Sequence, residues 1–193
     1  MKKVENIELK NIELEKGRGL SVVVTTLILL VVAVLLAVVV SYYAADITLT
    51  RSQVEDVRLS KGRIWVNQTG AVAAFKLQSV GGKDTLIDGI TVRSENVDWG
   101  NVYVYRVPTS TTVTEELIVV SPERLTGENV TIEGRTYEEA SMDIPLVSGG
   151  VLLFYIKEPI NIQMDDIGIT ISIGVYTNNG RYTTNCNVES ATQ

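Results

Sequence analysis

The chain has 193 residues, 45% of them hydrophobic, and carries 17 Lys/Arg against 23 Asp/Glu for a net charge of −6, with no histidine. The missing histidine removes Ser-His-Asp and Cys-His dyads, imidazole zinc sites and the commonest general base. An acidic balance without a basic cluster excludes nucleic acid as an expected partner, because displacing counterions from phosphate takes Lys and Arg.

The first 19 residues hold five Lys/Arg against four Glu, +1, which leaves 12 against 19, −7, for residues 20–193. They contain a short duplication, Asn6-Ile-Glu-Leu-Lys10 followed by Asn11-Ile-Glu-Leu-Glu15, enough for a turn or two of amphipathic helix. Lys16-Gly-Arg-Gly-Leu-Ser21 then runs straight into the apolar block Leu20 to Tyr43. Those 24 residues include no charge and no proline, and only Ser21, Thr25, Thr26 and Ser41 are polar before the tyrosines. As a helix the block reaches roughly 36 Å, enough to cross a bilayer. Basic residues before it and Tyr42-Tyr43 after it match a cytoplasmic flank and an interfacial belt.

A secretory signal would be cut after the apolar core at a small-x-small site. The exit Ser41-Tyr-Tyr-Ala-Ala-Asp46 puts a tyrosine where the small residue is needed. At the front, Arg18-Gly19-Leu20-Ser21 precedes an unbroken apolar run, and this resembles the class III signal of archaeal type IV pilins. The resemblance implies a membrane peptidase cutting between Gly19 and Leu20, loss of the leader 1–19, and a hydrophobic helix kept on the mature subunit. Glycine suits such a cut, since it brings no side chain into the protease cleft. The fifth residue after the cut is Val24, where bacterial pilins carry a glutamate; archaeal members often lack that acid. Archaellins are similar too, but their helix typically opens with a glycine-rich run where this chain has Leu20-Ser-Val-Val23. The family implies a cell-adhesion filament whose partners are other copies of the chain, the prepilin peptidase and the pilus assembly machinery. The precursor would sit in the membrane and the product at the cell surface. A plain single-span anchor that keeps its tail is the competing reading of the same residues.

Residues 44–60 contain no Gly or Pro, so the helix is expected to continue as a stalk, ending between Ala45 and Ser60, with Gly62 as the first terminator. Domain bounds are therefore 1–19 leader, 20–60 helix and stalk, and 61–193 outer domain. From Gly62 the period becomes two. Candidate strands are 63–67, 71–79, 89–94, 101–107, 116–120, 129–133, 150–157 and 166–177. Ile169, Ile171, Ile173 and Val175 share one face, Val151–Ile156 is apolar on both and belongs in the middle of a sheet, and Asn179-Gly180 predicts a hairpin. The expected class is α+β: a long apolar N-terminal helix followed by an antiparallel immunoglobulin-like β-sandwich. Cys186 allows no intrachain disulfide, so packing alone must hold that domain.

An all-apolar helix freed from lipid must pack against copies of itself, and Ser21, Ala33 and Ala37 are the candidate close-contact residues. Two sequons, Asn67-Gln-Thr69 and Asn129-Val-Thr131, are candidate glycosylation sites. The acidic pairs Glu115-Glu116, Glu138-Glu139 and Asp165-Asp166 lack metal-loop spacing and read as solvated loops. Gly81-Gly82 and Gly149-Gly150 read as turns; no nucleotide fingerprint is present and no cofactor, metal or catalytic residue is expected. Two functions remain: a non-enzymatic filament subunit, and a monomeric membrane-tethered receptor.

Overall fold

The structure is a computed structural model that describes residues 2–52, 54–109, 111 and 113–191, the side chains of 2–20 and 50–52 excepted. The chain divides into two units, 1–50 and 51–193. The first is the helix α1 (Lys2–Ser52). No proline interrupts it, and its hydroxyls turn back onto its own carbonyls: Thr25 Oγ1 donates to Ser21 O at 2.8 Å, Thr26 Oγ1 to Val23 O at 2.9 Å and Thr48 Oγ1 to Ala44 O at 2.8 Å. Those polar groups are thus satisfied without water, which lets the helix sit in apolar surroundings.

The second unit is a mixed, mostly antiparallel sheet of 11 strands. These are β1 (Val57–Asn67), β2 (Gly70–Ser79), β3 (Thr85–Val92), β4 (Glu95–Asn96), β5 (Val102–Val107) and β6 (Asn129–Ile132). Then come β7 (Arg135–Glu139), β8 (Ile144–Leu146), β9 (Val151–Lys157), β10 (Thr170–Thr177) and β11 (Gly180–Ser190). The order is β4-β3-β10-β11-β1-β2-β9-β5-β7-β6, with β8 paired to β3. The α+β class holds. The antiparallel expectation meets one exception, the parallel pair β1–β11 through Ile64–Val188 and Val66–Ser190. β11 pairs with β10 from Gly180 to Asn187 and reaches β1 only from Val188 onward, so this strand turns the sheet's corner. The result is one continuous ladder coiled as a half-barrel.

The concave side holds the main core, including Ile64, Phe75, Ile90, Phe154, Ile156 and Ile173. Phe75 and Phe154 stack at 4.8 Å. A second core, with Trp65, Val72, Tyr137, Leu153 and Tyr155, covers the opposite face of β1, β2, β5 and β9. β9 therefore lies between β2 and β5 with both faces buried, as its uniformly apolar sequence requires.

Several expectations are corrected. The helix ends at Ser52, inside the expected window, but residues 57–60, assigned to the stalk, open β1, because they pair with β2 through Val57–Ser79 and Leu59–Leu77. Gly62 ends no helix: it sits in a β-bulge between Ser60 and Arg63, with Lys61 at φ 56°. Residues 116–120 form no strand. Leu117 and Val120 are buried, but the segment is a strap held by side chains rather than a ladder. Lys61 Nζ donates to Thr114 O at 2.6 Å and also to Glu115 O, while Tyr155 OH donates to Ile118 O at 3.0 Å. The last hairpin turns one residue early, at Asn178-Asn179, with Gly180 already paired to Thr177. β7 was not foreseen: Tyr137 is its only large apolar residue, among charges that mask the alternation. Its turn with β6 is Glu133-Gly134, both at positive φ (50° and 74°), the geometry of a two-residue I′ hairpin.

Candidate functional site

α1 contains a stretch, Ser21–Leu49, of mean hydropathy 3.3. Its large apolar side chains are 46–71% exposed within the chain, on every side of the helix. Such a surface is compatible with membrane insertion or a signal sequence. Of the expected packing residues, Ala33 and Ala37 stand one turn apart on the same face. Ser21 does not join them: twelve residues before Ala33, it sits about 120° round the helix. Ser41, Ala44 and Thr48 continue the Ala33–Ala37 stripe at spacings of three and four. Gly19 and Leu20, the expected cleavage junction, lie outside the residues whose side chains are described.

Beyond the helix, the chain enters the β unit at a pinned segment. Val80 N and Gly81 N donate to Asp56 O at 2.8 and 3.0 Å, and Gly82 N to Val54 O at 3.2 Å. The Glu55 carboxylate accepts from Thr177 Oγ1 and from Asn179 Nδ2, the latter at 2.6 Å. This pole of the unit, with residues 54–57, 79–85, 146–151 and 177–180, is called proximal here. The distal pole carries the β1–β2 turn, the β3–β4 turn and the 158–169 loop.

Asn67 lies in the distal β1–β2 turn, where its Oδ1 accepts from Thr69 N at 2.9 Å, Thr69 Oγ1 at 2.7 Å and Gly70 N at 3.1 Å. Asn129 is exposed at the start of the edge strand β6, beside a groove lined by Trp99, Glu128, Glu138 and Glu139. The other acidic pairs are divided between partners. Glu115 meets Arg135 at 2.7 Å and Glu116 meets Arg63 at 3.7 Å. Asp166 receives Arg93 Nη1 at 2.9 Å and Gln163 N at 2.9 Å, while Asp165 stays exposed. The Gln163 amide, with help from Arg93, holds the Asp166 carboxyl below its usual range against the opposing effect of burial. Burial pushes the Tyr137 hydroxyl up to about 12 and the Cys186 thiol up to about 11. Cys186 is 7% exposed, with its Sγ 3.7 Å from Ile171 O, in the wall of the main core. Among the described residues, no three Cys, Asp or Glu side chains gather as a metal-binding group.

No protein-family model matches the chain, and no curated protein matches it either.

Proposed function

We propose that this chain is the structural subunit of an extracellular adhesion filament of the archaeal type IV pilin kind, assembling through its N-terminal helix. The observation that carries the reading is the Ser21–Leu49 stretch, apolar on all sides and joined to a β unit that has two cores of its own. A β unit with its own cores does not need that helix for folding, so the helix's apolar surface is left for lipid or for other copies. Residues 1–19 are the leader removed at Gly19–Leu20, and residues from Leu20 form the filament core. The β unit is the outer domain, an immunoglobulin-like sandwich whose two halves meet along the corner strand β11. Asn67 and Asn129 are its glycan acceptors. The subunit is not an enzyme and uses no cofactor. A monomeric tethered receptor is the second reading, and the Trp99 groove with its three glutamates is what favours it.

The N-terminal residue of surface material tests the first step. A start at Leu20 is expected; an intact Met1 on exposed protein would favour the tethered receptor. Electron microscopy then tests assembly. Ala33→Leu keeps the helix apolar but enlarges the small-residue face, and should weaken filaments or alter their geometry. Abundant, correctly cut protein that never appears in fibres would refute the filament.

A further inference from the structure

β6 closes the sheet at one edge: it pairs with β7 on one side and, among the described residues, with no strand on the other. Val130 and Ile132 turn into the second core, so Asn129 and Thr131 stand on the opposite, exposed face. Glu139 N donates to Glu128 O at 2.9 Å, which fixes the alternation of the ladder. The main-chain N–H and C=O groups of Asn129 and Thr131 therefore point away from β7, along the open edge. Such an edge invites pairing with another chain unless something covers it.

Beside that edge lies a groove of about 710 Å³ lined by Trp99, Gly100, Glu128, Asn129, Glu138 and Glu139. Clefts of roughly 300–1,000 Å³ are the size that seats a small organic ligand. Trp99 opens a 3-10 turn closed by Asn101 N to Asp98 O at 2.9 Å, and is half-buried against the main core with the remainder open to the groove. Gly100 leaves room for a carboxylate: Glu139 Oε1 lies 3.4 Å from where a Cβ would stand. Glu138 is the cross-strand neighbour of Asn129, in the pairing position where side chains lie closest. Glu128, Glu138 and Glu139 join no ion pair among the described residues. The other sequon differs on each point. Asn67 Oδ1 is held by three donors of its own turn, and its cleft, lined by Gln68, Thr69 and Ala191, offers no aromatic face.

We infer that the Trp99 groove seats the first sugars of the glycan carried on Asn129 of the same chain. The link joins Asn129 Nδ2 to the anomeric carbon of a lipid-phosphate-activated sugar. The sugar's C–O bond to phosphate breaks, the lipid phosphate leaves with the electron pair, and the amide gives up one proton. The occupant is thus tethered in the wall of the groove it fills, so the link sets its local concentration. The indole takes the apolar C–H face of a pyranose ring, and the ionised carboxylates accept strong hydrogen bonds from its hydroxyls. A sugar laid there also shields the open main-chain groups of β6 and bars edge-to-edge pairing. The inference rests on Asn129 being a glycan acceptor, and it gives to the chain itself a groove that a tethered receptor would keep for its ligand.

The test uses the full chain taken from the cell surface into detergent micelles. Mass spectrometry of the peptide containing Asn129 establishes whether a glycan is present. Acrylamide quenching of fluorescence then reads Trp99, since Trp65 is 4% exposed in the second core. Thr131→Val removes the sequon while keeping a β-branched residue on the edge, and should raise the quenching constant about threefold or more by uncovering the indole. Asn67→Asp removes the other acceptor, keeps the turn's oxygen, and should leave quenching unchanged. Thr131→Val should also lower Tm, followed by circular dichroism, by about 2 °C or more in the Trp99 protein and not at all in Trp99→Leu. Equal quenching with and without an Asn129 glycan, or equal Tm losses with and without Trp99, overturns the inference and leaves Asn129 standing as an acceptor. An Asn129 without a glycan sinks both. If spermidine protects Trp99 from acrylamide in the glycosylated protein, the groove is open to a cation and the inference is wrong.

Discussion

Gly81 is the position where the entry segment of the β unit, residues 54–56, is most exposed to a single added methyl group. A Cβ added there would lie 2.5 Å from Asp56 N and closer still to Val54 O, both backbone atoms of the segment that precedes β1. Its φ is not in the left-handed region, so contact alone sets the cost. The two segments must part, and three hydrogen bonds span that gap, at 2.8, 3.0 and 3.2 Å. At roughly 0.5–1.5 kcal/mol net for each bond, losing most of them costs about 3 kcal/mol. Replacing glycine also narrows the unfolded ensemble and returns about 0.4–1 kcal/mol. Gly81→Ala is therefore expected to destabilise the unit by about 2 kcal/mol, which lowers Tm by roughly 8 °C in a domain of this size. The assay is fluorescence melting of the full chain in detergent micelles, since Trp65 and Trp99 both lie in the β unit and report on it alone. Gly89→Ala is the control: a Cβ there meets nothing within 4 Å and its φ is ordinary, so Tm should move by less than about 2 °C. A Gly81→Ala protein that melts with Gly89→Ala would refute the pinning of residues 54–56 against 80–82.

Three further outcomes follow from the buried groups. Tyr137 is raised by burial to about 12, so the folded state keeps a proton that the unfolded chain releases near 10; this contribution is complete below about pH 10 and is lost as pH rises toward 12. Ultraviolet titration should accordingly show exposed tyrosines ionising first, with Tyr137 and Tyr155 ionising only as the domain unfolds; Tyr137→Phe should remove part of that alkaline loss. Asp166 is held below the usual carboxylate range, so its contribution is present above that range and disappears as pH falls through its folded value. Asp166→Asn should flatten the acid limb of a Tm–pH curve, and an unchanged limb would contradict the Gln163–Arg93 cradle. Cys186, raised to about 11 by burial, should resist a water-soluble thiol reagent at pH 8 until denaturant is added; rapid labelling of the native protein would show that the core opens there.

Local chemistry was enough to read the elements whose pattern is dense. The helix is legible because a run of more than twenty apolar residues without proline has one conformation that satisfies its backbone outside water. β9 is legible because apolar residues on both faces suit only a central strand. By period alone Ile167 and Ile169 extend the run of β10, and nothing local distinguishes an isoleucine turned to solvent from its buried neighbours. Ala33 and Ala37 share a helix face by their spacing of four, while Ser21 lies about 120° round from them.

What the sequence by itself determined is the two-part plan: an uncharged apolar block, residues 20–43, that water cannot solvate, then a β-rich unit without disulfide or histidine. Tertiary structure alone decided where β1 begins, because Val57–Ser60 is strand only by virtue of its partners in β2. It likewise decided that 113–120 is a strap, since lysine and tyrosine side chains reach its carbonyls where a strand would have offered amides. The parallel pairing of β11 with β1 joins residues more than 120 apart, and so do the contacts of Glu55 with the last hairpin. Local propensity acts over a few residues, whereas these contacts are chosen by how the sheet closes on its core, and that choice is made only when the whole chain has folded.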